Sequence, residues 1–209
     1  MKTVMYLIRH GATAMNLAIP PRLQGLGIDQ SLAALGVRQA EMTRHVLAMR
    51  EFDAVYASPM KRAVQTARII AEPHDLPILK LPNLIECDVG RWEGLSWKEI
   101  REREPEMYTL FQENPARNGY PEGESFADVY KRANKTLKEL LHEHTGQTIL
   151  VVAHHVVNRT YLAGLLGLSP AEAKQVTLAN CSVSIVVREH KQTRVQTLNS
   201  TFHLQGVAV

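Results

Sequence analysis

Near its start the chain carries an apolar run that ends in charge, Val4-Met5-Tyr6-Leu7-Ile8-Arg9-His10-Gly11-Ala12-Thr13. Its first five residues predict a short strand buried on both faces, as in a parallel sheet. A cation, an imidazole and a glycine do not build a core, but they fit the carboxyl end of such a strand, where open α/β folds bind their ligands. We therefore predict a binding site at this strand end. The simpler alternative is a surface Arg–His pair that happens to follow a strand.

Each residue of the Arg9-His10-Gly11 tripeptide has a chemical use at such a site. Arg9 offers a planar fork of donors that suits a phosphate. His10 can serve as a nucleophile, as a base or as a metal ligand. Gly11 lets the backbone turn sharply and approach a ligand closely. The tripeptide alone leaves these uses open.

The composition is that of an ordinary soluble globular protein. Of the 209 residues, 45% are apolar and 22% are charged, and the net charge is +3. This length predicts one domain. The chain has no dense run of Lys and Arg, and its aromatic residues, 6% of the total, are too scattered to stack bases. We therefore expect no nucleic-acid partner.

Cysteine usage and hydropathy indicate a compartment. Cys87 and Cys181 lack the paired spacing of zinc or redox sites, so we expect two buried thiols in a reducing environment. No window approaches eighteen apolar residues, and the apolar run near Met1 is too short for a signal peptide. We therefore expect a cytoplasmic protein with no membrane partner.

Strands and helices are predicted to alternate along the chain. Apolar runs indicate strands at 4–8, 52–57 and 148–153, and two further strands at 182–188 and 194–198 joined by a polar turn at 190–193. Helical periodicity covers 31–49, 58–71, 124–144 and 156–166. Ser31 and Ser58 are expected to be the N-caps of the first two helices. This order predicts an α/β fold with three layers, a largely parallel central sheet with helices on both faces.

The segment 87–123 is poor in apolar periodicity and too small to hold a core of its own. We expect short helices in it at 96–104 and 105–112. We interpret the segment as a cap-like insertion folded over the sheet, so that residues 1–209 form a single domain.

Three of the predicted strands end on residues that could bind a phosphate together. The first delivers Arg9 and His10, and the third ends at His154-His155. The second leads through Ser58 into a helix that presents Arg62. If these strands are parallel neighbours, their polar residues meet at one edge, and a helix N-terminus adds oriented amides. A metal site at His154-His155 is the alternative, but adjacent side chains diverge and no acidic third ligand is evident.

Seven short motifs occur in a fixed order along the chain. They are Leu7-Ile8-Arg9-His10-Gly11-Ala12-Thr13 followed by Asn16, Gln24-Gly25, Gly36-Val37-Arg38-Gln39-Ala40, Ser58-Pro59-Met60-Lys61-Arg62-Ala63 with Thr66-Ala67, Leu84-Ile85-Glu86 with Gly90-Arg91-Trp92-Glu93-Gly94, Gly123-Glu124-Ser125, and Val151-Val152-Ala153-His154. Together they resemble the histidine phosphatase superfamily, the phosphoglycerate mutase-like proteins. The resemblance covers nearly the whole chain and points to the phosphatase branch.

The resemblance implies a catalytic role for five residues. His10 matches the nucleophile that forms a phosphohistidine, and Glu86 matches the proton donor. The groups that would hold the non-bridging phosphate oxygens are Arg9, Arg62 and His154. No metal and no cofactor are implied, because the protein's own cations neutralise the charge. For Glu86, a helix-capping or solvated role is the alternative.

Four further residues are candidates for substrate binding. The resemblance implies donors at Asn16, Gln24 and the backbone of Gly25. His155 stands where the family usually has a glycine, so its side chain could crowd the pocket or add a polar contact. We also consider Arg22 and Leu23, together with Leu26 and Arg91, as selectivity residues; the two arginines hint at an acidic substrate or are solvated surface charges.

Three functions fit these residues. The first is a phosphoric monoester hydrolase of the histidine acid phosphatase type that acts on a small-molecule phosphate ester. The second is a cofactor-dependent phosphoglycerate mutase, and the third is a non-catalytic protein that binds a phosphate ligand. The short segment 95–123 favours the phosphatase, since mutases of the family carry a longer segment there. The exposed edge of the C-terminal strands could pair in a homodimer.

Overall fold

The computed structural model describes residues 1–190 and 192–207, and a six-stranded sheet lies at its centre. In chain order the strands are β1 (Thr3–Arg9), β2 (Ala54–Ala57), β3 (Ile78–Lys80), β4 (Thr148–Ala153), β5 (Val183–Glu189) and β6 (Gln192–Ser200). Across the sheet their order is β3-β2-β4-β1-β5-β6. The first four strands are parallel to one another. On the other side of β1, the pairs β1–β5 and β5–β6 are antiparallel. The predicted α/β fold with a largely parallel sheet is confirmed.

Seven α-helices connect and cover the described strands. They are α1 (Ala14–Leu17), α2 (Ala34–Leu47), α3 (Lys61–Ala71), α4 (Trp97–Arg103), α5 (Pro105–Glu113), α6 (Phe126–Glu143) and α7 (His155–Leu165). A 3₁₀ helix, Pro170–Gln175, follows α7. The prediction for α2 was wrong at its start, because the helix begins at Ala34 and Ser31 is an exposed residue ahead of it.

Alternate residues of β1 pack into two cores on opposite faces of the sheet. Met5 and Leu7 join the core formed with α6 and α7, whereas Tyr6 and Ile8 join the core formed with α2 and α3. The residues of β4 divide in the same way. Because both faces of these strands are buried, their sequences are apolar throughout. Helices therefore lie on both faces of the sheet, as predicted.

The start of α3 differs from the prediction. The helix begins at Lys61, whose amide donates to Asp29 Oδ1 at 2.8 Å. Ser58 is not the N-cap, because the helix begins three residues after it and Met60 holds the N-cap position; the Ser58 hydroxyl accepts from the Met60 amide, at 3.4 Å. The same hydroxyl lies 2.7 Å from Nε2 of His154, at the end of β4.

The segment 87–123 contains α4 and α5, close to the bounds predicted for two short helices. Its Trp92 is fully buried, and its ring makes edge-on contacts with three other rings of the segment, those of Trp97, Phe111 and Tyr120. These side chains belong to the same core as Leu7 of β1, apart from Trp97, which is partly exposed. Because this core is continuous, we propose that the segment is a cap-like insertion within one domain.

Three smaller expectations concern cysteines, membrane spans and the last turn. Cys87 and Cys181 are both buried and free, as expected. Among residues 1–190 and 192–207, no helix has the length and apolar character that crossing a bilayer requires. The predicted turn at 190–193 includes Lys191, which lies outside the described residues.

Candidate active site

The carboxyl ends of β1, β2 and β4 lie side by side, so the residues that follow them meet. In the register of the sheet, Arg9 pairs with Ala153 of β4. The rings of His10 and His154 lie 5.2 Å apart between centroids. Arg62, in the first turn of α3, is fully buried and acts electrostatically on both rings. The structure therefore brings together the residues that were predicted to converge.

A cavity of about 630 Å³ opens over this edge of the sheet, a volume typical of small-molecule sites. Six of the nine predicted site residues line it, namely Arg9, His10, Asn16, Gln24, Glu86 and His155. The other three, Arg62, His154 and Gly25, are buried. Of the two arginines considered for selectivity, Arg22 lines the cavity, whereas Arg91 forms ion pairs with Glu104 and Glu122 on the surface.

Gly11 allows two backbone segments to pack closely against each other. A Cβ atom at Gly11 would lie 2.5 Å from the carbonyl oxygen of Gly36, and a Cβ atom at Gly36 would lie 2.1 Å from that of Ala12. The loop after β1 therefore runs directly against the first turn of α2. The close backbone approach that the sequence indicated does exist, but its partner is another backbone.

The ring of His10 is oriented by its own neighbour in the chain. Nδ1 lies 2.8 Å from the carbonyl oxygen of Gly11. Because a carbonyl can only accept, Nδ1 carries the hydrogen, and in the neutral ring Nε2 keeps its lone pair. Burial, Arg62 and Arg9, in that order, hold the pKa of His10 well below its usual value. At neutral pH the ring is therefore uncharged and has a free nitrogen lone pair.

Two guanidinium groups flank this ring. Nη1 of Arg9 donates to the carbonyl oxygen of Leu178 at 2.6 Å. Arg62 donates from Nη1 to Ile28 and from Nη2 to Gly25, both at 3.0 Å. Nε of each arginine is buried without a partner in the described part of the chain. Burial lowers the pKa of Arg9 to about 10, so both groups remain cationic at neutral pH.

The two histidines after β4 are also uncharged. Burial, followed by the charge of Arg62, lowers the pKa of His154 well below its usual value. For His155 the causes are burial, then Arg9 and Arg159. Nδ1 of His154 and Nε2 of His155 are buried without hydrogen-bond partners among the described residues. Unpartnered buried ring nitrogens are costly, so they mark a place where a ligand could supply the missing partner.

The Glu86 carboxyl group sits against the N-terminus of α7. Its Oε2 accepts from the amides of His155 at 3.0 Å and Val156 at 3.3 Å, and its Oε1 accepts from the amide of Cys87 at 2.9 Å. The oxygens of a carboxyl group in this position accept from amides that the helix leaves unpaired. Glu86 also lines the cavity and is 4% exposed. Glu86 therefore caps α7, the role given above as its alternative, and its side chain also reaches the cavity.

Arg132 of α6 fixes the segment that carries Glu86. Its guanidinium donates to the carbonyl oxygens of Asn83, Ile85 and Glu86 at 2.7 to 3.2 Å. Glu124 holds the guanidinium in place through two hydrogen bonds of 2.8 and 2.9 Å. Through Glu124 and Arg132, the Gly123-Glu124-Ser125 motif therefore fixes the backbone that carries Glu86.

The three donors implied for substrate binding differ in their availability. Oδ1 of Asn16 accepts from the amide of Thr13 at 3.0 Å, and its Nδ2 has no partner in the described ranges. The side chain of Gln24 is engaged by the Thr13 hydroxyl at 2.6 Å and by the carbonyl of Ile28 at 3.2 Å. The amide of Gly25 is not free, because it donates to Oε1 of Glu93 at 2.6 Å. In this structure Gly25 instead contributes its carbonyl, which holds Arg62.

Sequence reasoning missed several polar residues that line the cavity, among them Arg159 and Asn180. Nδ2 of Asn180 donates to the carbonyl oxygen of His10 at 2.9 Å. Arg159 lies four residues after His155 and so on the same face of α7, a spacing that could have drawn attention to it. No comparable signal pointed to Asn180, which follows a segment without periodicity.

The assembled pocket can bind an anion and present a nitrogen lone pair to it. Its positive charge comes from guanidinium groups, and its histidines are neutral donors or acceptors. Within the described residues, no group of three or more His, Cys, Asp or Glu side chains is placed to hold a metal ion.

The fold and the pocket define a class of protein, an α/β protein with a histidine-containing anion pocket at the carboxyl ends of its parallel strands. The chain belongs to the histidine phosphatase superfamily (branch 1), whose family model matches residues 5–201. The family indicated by the sequence motifs is confirmed.

Similar proteins extend over nearly the same length. Phosphoserine phosphatase 1 of Hydrogenobacter thermophilus is 34% identical over 200 residues, which cover 96% of this chain and 93% of that protein. A metal-independent phosphoserine phosphatase of Arabidopsis thaliana is 34% identical over 98% of this chain and 84% of its own length. Among solved structures, YhfR of Bacillus stearothermophilus superposes with a TM-score of 0.89 at 30% identity, covering 97% of this chain and 100% of that one.

Proposed function

We propose that this protein is a metal-independent phosphomonoesterase that hydrolyses a small phosphorylated metabolite through a phosphohistidine on His10. The observation that carries the proposal is the state of His10, a neutral ring whose Nδ1–H is occupied by Gly11 and whose Nε2 lone pair is free in a cationic cavity. Membership of the histidine phosphatase superfamily and the phosphatase names of the relatives support it.

In the first step, the Nε2 lone pair of His10 forms a bond to phosphorus and the ester P–O bond breaks. The leaving oxygen takes the proton of the Glu86 carboxyl group, which lies in the cavity wall. The products are the free alcohol, a phosphohistidine and the Glu86 carboxylate. The His10 ring does not donate a proton in this step, because its only N–H, on Nδ1, stays hydrogen-bonded to the Gly11 carbonyl.

In the second step, water attacks the phosphohistidine. The Glu86 carboxylate takes one proton from that water, the N–P bond breaks, and its electron pair returns to Nε2. Inorganic phosphate leaves, and both residues regain their starting states. One carboxyl group therefore acts first as an acid and then as a base.

The cations stabilise the charge that develops on the phosphoryl oxygens. We assign this role to Arg9 and Arg62, each of which has an unpartnered Nε–H among the described residues. His154 would add a neutral donor from its ring. Asn16, Gln24 and His155, which line the cavity, would contact the remainder of the substrate.

The test is phosphate release from alkyl and aryl phosphates in chelator-treated buffer, with wild type, His10→Ala and the exposed-site control His142→Ala. We expect metal-independent release by the wild type and the control, and a loss of at least about 10³-fold in His10→Ala. A quenched wild-type reaction should contain phosphoryl label that is lost in acid and kept in base, as a phosphoramidate is. Release that persists in His10→Ala would overturn the proposal. Turnover only with 3-phosphoglycerate and its bisphosphate primer would replace it by a mutase.

A further inference from the structure

Arg159 is a cation of the cavity that the proposed mechanism does not use. It lies on α7, lines the cavity and is half-buried. Its Nε and Nη2 donate to the carbonyl oxygen of Val176 at 3.0 and 2.8 Å, and Nη2 also lies 3.4 Å from that of Lys174. The guanidinium is therefore held rigidly from one side by backbone.

The remaining edge of this guanidinium is free. Nη1 has no hydrogen-bond partner, and the side chain takes part in no ion pair, across residues 1–190 and 192–207. Arg22, the other arginine at the outer part of the cavity, differs because it pairs with Glu99 at 3.3 Å. Glu86 acts on Arg159 through space, but no carboxylate among the described residues forms an ion pair with it, so a ligand anion in the cavity could make that contact.

The backbone from Val176 to Leu178 holds both Arg159 and Arg9, which lies beside His10. The carbonyl of Val176 holds Arg159, and the carbonyl of Leu178 holds Arg9. Val176 is extended, and burial alternates from 176 to 178. Two carbonyls that are two residues apart in an extended chain are separated by about 7 Å. The two guanidinium groups are therefore anchored to one short stretch of backbone in the cavity wall, and Arg159 acts electrostatically on Arg9. Of the two, only Arg9 is among the charges that lower the pKa of His10.

We propose that Arg159 forms a second anion subsite, which binds the carboxylate of a substrate whose phosphate lies at His10 and Arg9. The preferred substrates are then small phosphorylated hydroxy or amino acids, with the carboxylate a few atoms from the ester. Nη1 can donate to a carboxylate oxygen in a charge-assisted hydrogen bond, and the fixed guanidinium loses little entropy on binding it. This assignment of Arg159 rests on the proposed phosphatase function, because it places the phosphate at His10.

The experiment compares two substrates that differ only in the carboxylate, O-phosphoserine and O-phosphoethanolamine. We expect the wild-type ratio of their kcat/KM values to favour phosphoserine, and Arg159→Gln to reduce this ratio by about 10- to 100-fold, mainly through KM. Arg159→Lys should retain part of the preference. Arg91→Gln, which removes a surface arginine outside the cavity, is the matched control and should leave the ratio unchanged. A pair of 3-phosphoglycerate and glycerol 3-phosphate repeats the comparison without the amine.

A ratio near one in the wild type, or a ratio that Arg159→Gln leaves unchanged, would overturn the subsite. If the wild type hydrolyses no phosphate ester, the proposed function fails, and the subsite is then decided by calorimetric binding of the same two compounds to wild type and Arg159→Gln. Preferential binding of phosphoserine that depends on Arg159 would support the subsite alone. Equal binding of the two compounds would contradict it.

Discussion

At the scale of single residues, Glu86 is fixed on one side and accessible on the other. Three backbone amides, those of Cys87, His155 and Val156, hold its two carboxyl oxygens. The same carboxyl group lines the cavity. Because these hydrogen bonds fix the carboxyl group, it can keep the same position in both proposed steps of hydrolysis, and little reorganisation is needed between them.

We expect Glu86→Gln to separate the two proposed steps. The amide oxygen can still accept from His155 and Val156, although the NH2 group cannot accept from the Cys87 amide. The side chain can neither give a proton to a leaving alkoxide nor take one from water. Turnover of an alkyl phosphate should fall by about 10²- to 10⁴-fold. With p-nitrophenyl phosphate the leaving group needs no proton, so a burst of about one equivalent of nitrophenol should precede slow turnover. Stopped-flow absorbance measures this burst.

The exposed Glu122 offers the same substitution outside the cavity, and Glu122→Gln should show neither effect. An equal loss with both substrates and no burst in Glu86→Gln would contradict the acid–base role and leave Glu86 as a helix cap only.

Among these residues, those that directly follow a strand could be predicted from the sequence. The apolar runs locate the strands, and parallel order then places Arg9, His10 and His154 at one edge. The spacing from His155 indicates on which face of α7 Arg159 lies, but not that it lines the cavity, because an arginine on an amphipathic helix is ordinarily solvated. Its orientation depends on the carbonyl of Val176, in a segment with no periodicity to locate it.

At the scale of elements, some helix caps are local in the sequence and others come from distant parts of the chain. The helices α4 and α6 begin with local capping boxes, in which Ser96 pairs with Glu99 and Ser125 with Asp128. Both starts were predicted to within two residues. At the site, Asp29 caps α3 and Glu86 caps α7 from distant parts of the chain. The start of α7 was still predicted to within one residue, whereas that of α3 was placed three residues too early. Local rules cannot detect a cap that only the tertiary fold brings into place.

The crossing of the β1 loop over α2 sets the position of His10. Gly36 lies within α2, yet its missing side chain leaves room for the backbone of Ala12. The Gly11 amide is fixed by Thr66 of α3 at 3.0 Å, and the Ala12 amide by Gln39 of α2 at 3.0 Å. Two helices from one face of the sheet therefore hold the loop that carries the proposed nucleophile.

We expect Gly36→Ala to destabilise the protein, although helix propensity alone predicts the opposite. Alanine inside a helix is favoured over glycine by up to about 1 kcal/mol. The added Cβ would lie 2.1 Å from the carbonyl oxygen of Ala12. Only a shift of the backbone can relieve this clash. The free energy of unfolding should fall by about 1 to 3 kcal/mol, and kcat should fall because the loop carrying His10 moves. Urea denaturation and steady-state kinetics measure both.

Gly27→Ala is the matched control, because the nearest heavy atom to its Cβ is a Glu93 carboxylate oxygen at 3.3 Å, which can move. A Gly36→Ala protein that is as stable as the wild type, or more stable, would show that the crossing has room to adjust.

At the scale of the whole molecule, the site combines buried arginine cations with three uncharged histidine rings. His10, His154 and His155 have pKa values well below the usual one, because burial and the neighbouring arginines disfavour a further positive charge. The same arrangement that keeps a nucleophile uncharged therefore makes the native state reluctant to bind protons. Stability and the proposed chemistry share one cause, and they should respond to pH together.

The free energy of unfolding should therefore fall as the pH is lowered through about 6.5. Below that value the unfolded chain binds protons on the three histidines that the native state does not bind, so stability is retained above the unfolded pKa and lost toward the lower folded values. Each histidine contributes a slope of at most about 1.4 kcal/mol per pH unit, and three contribute about 4. Urea denaturation at half-unit steps from pH 5 to 8 measures this slope. His155→Gln should reduce this slope by the contribution of about one proton, and an unchanged slope would mean that this ring takes up its proton in the folded protein.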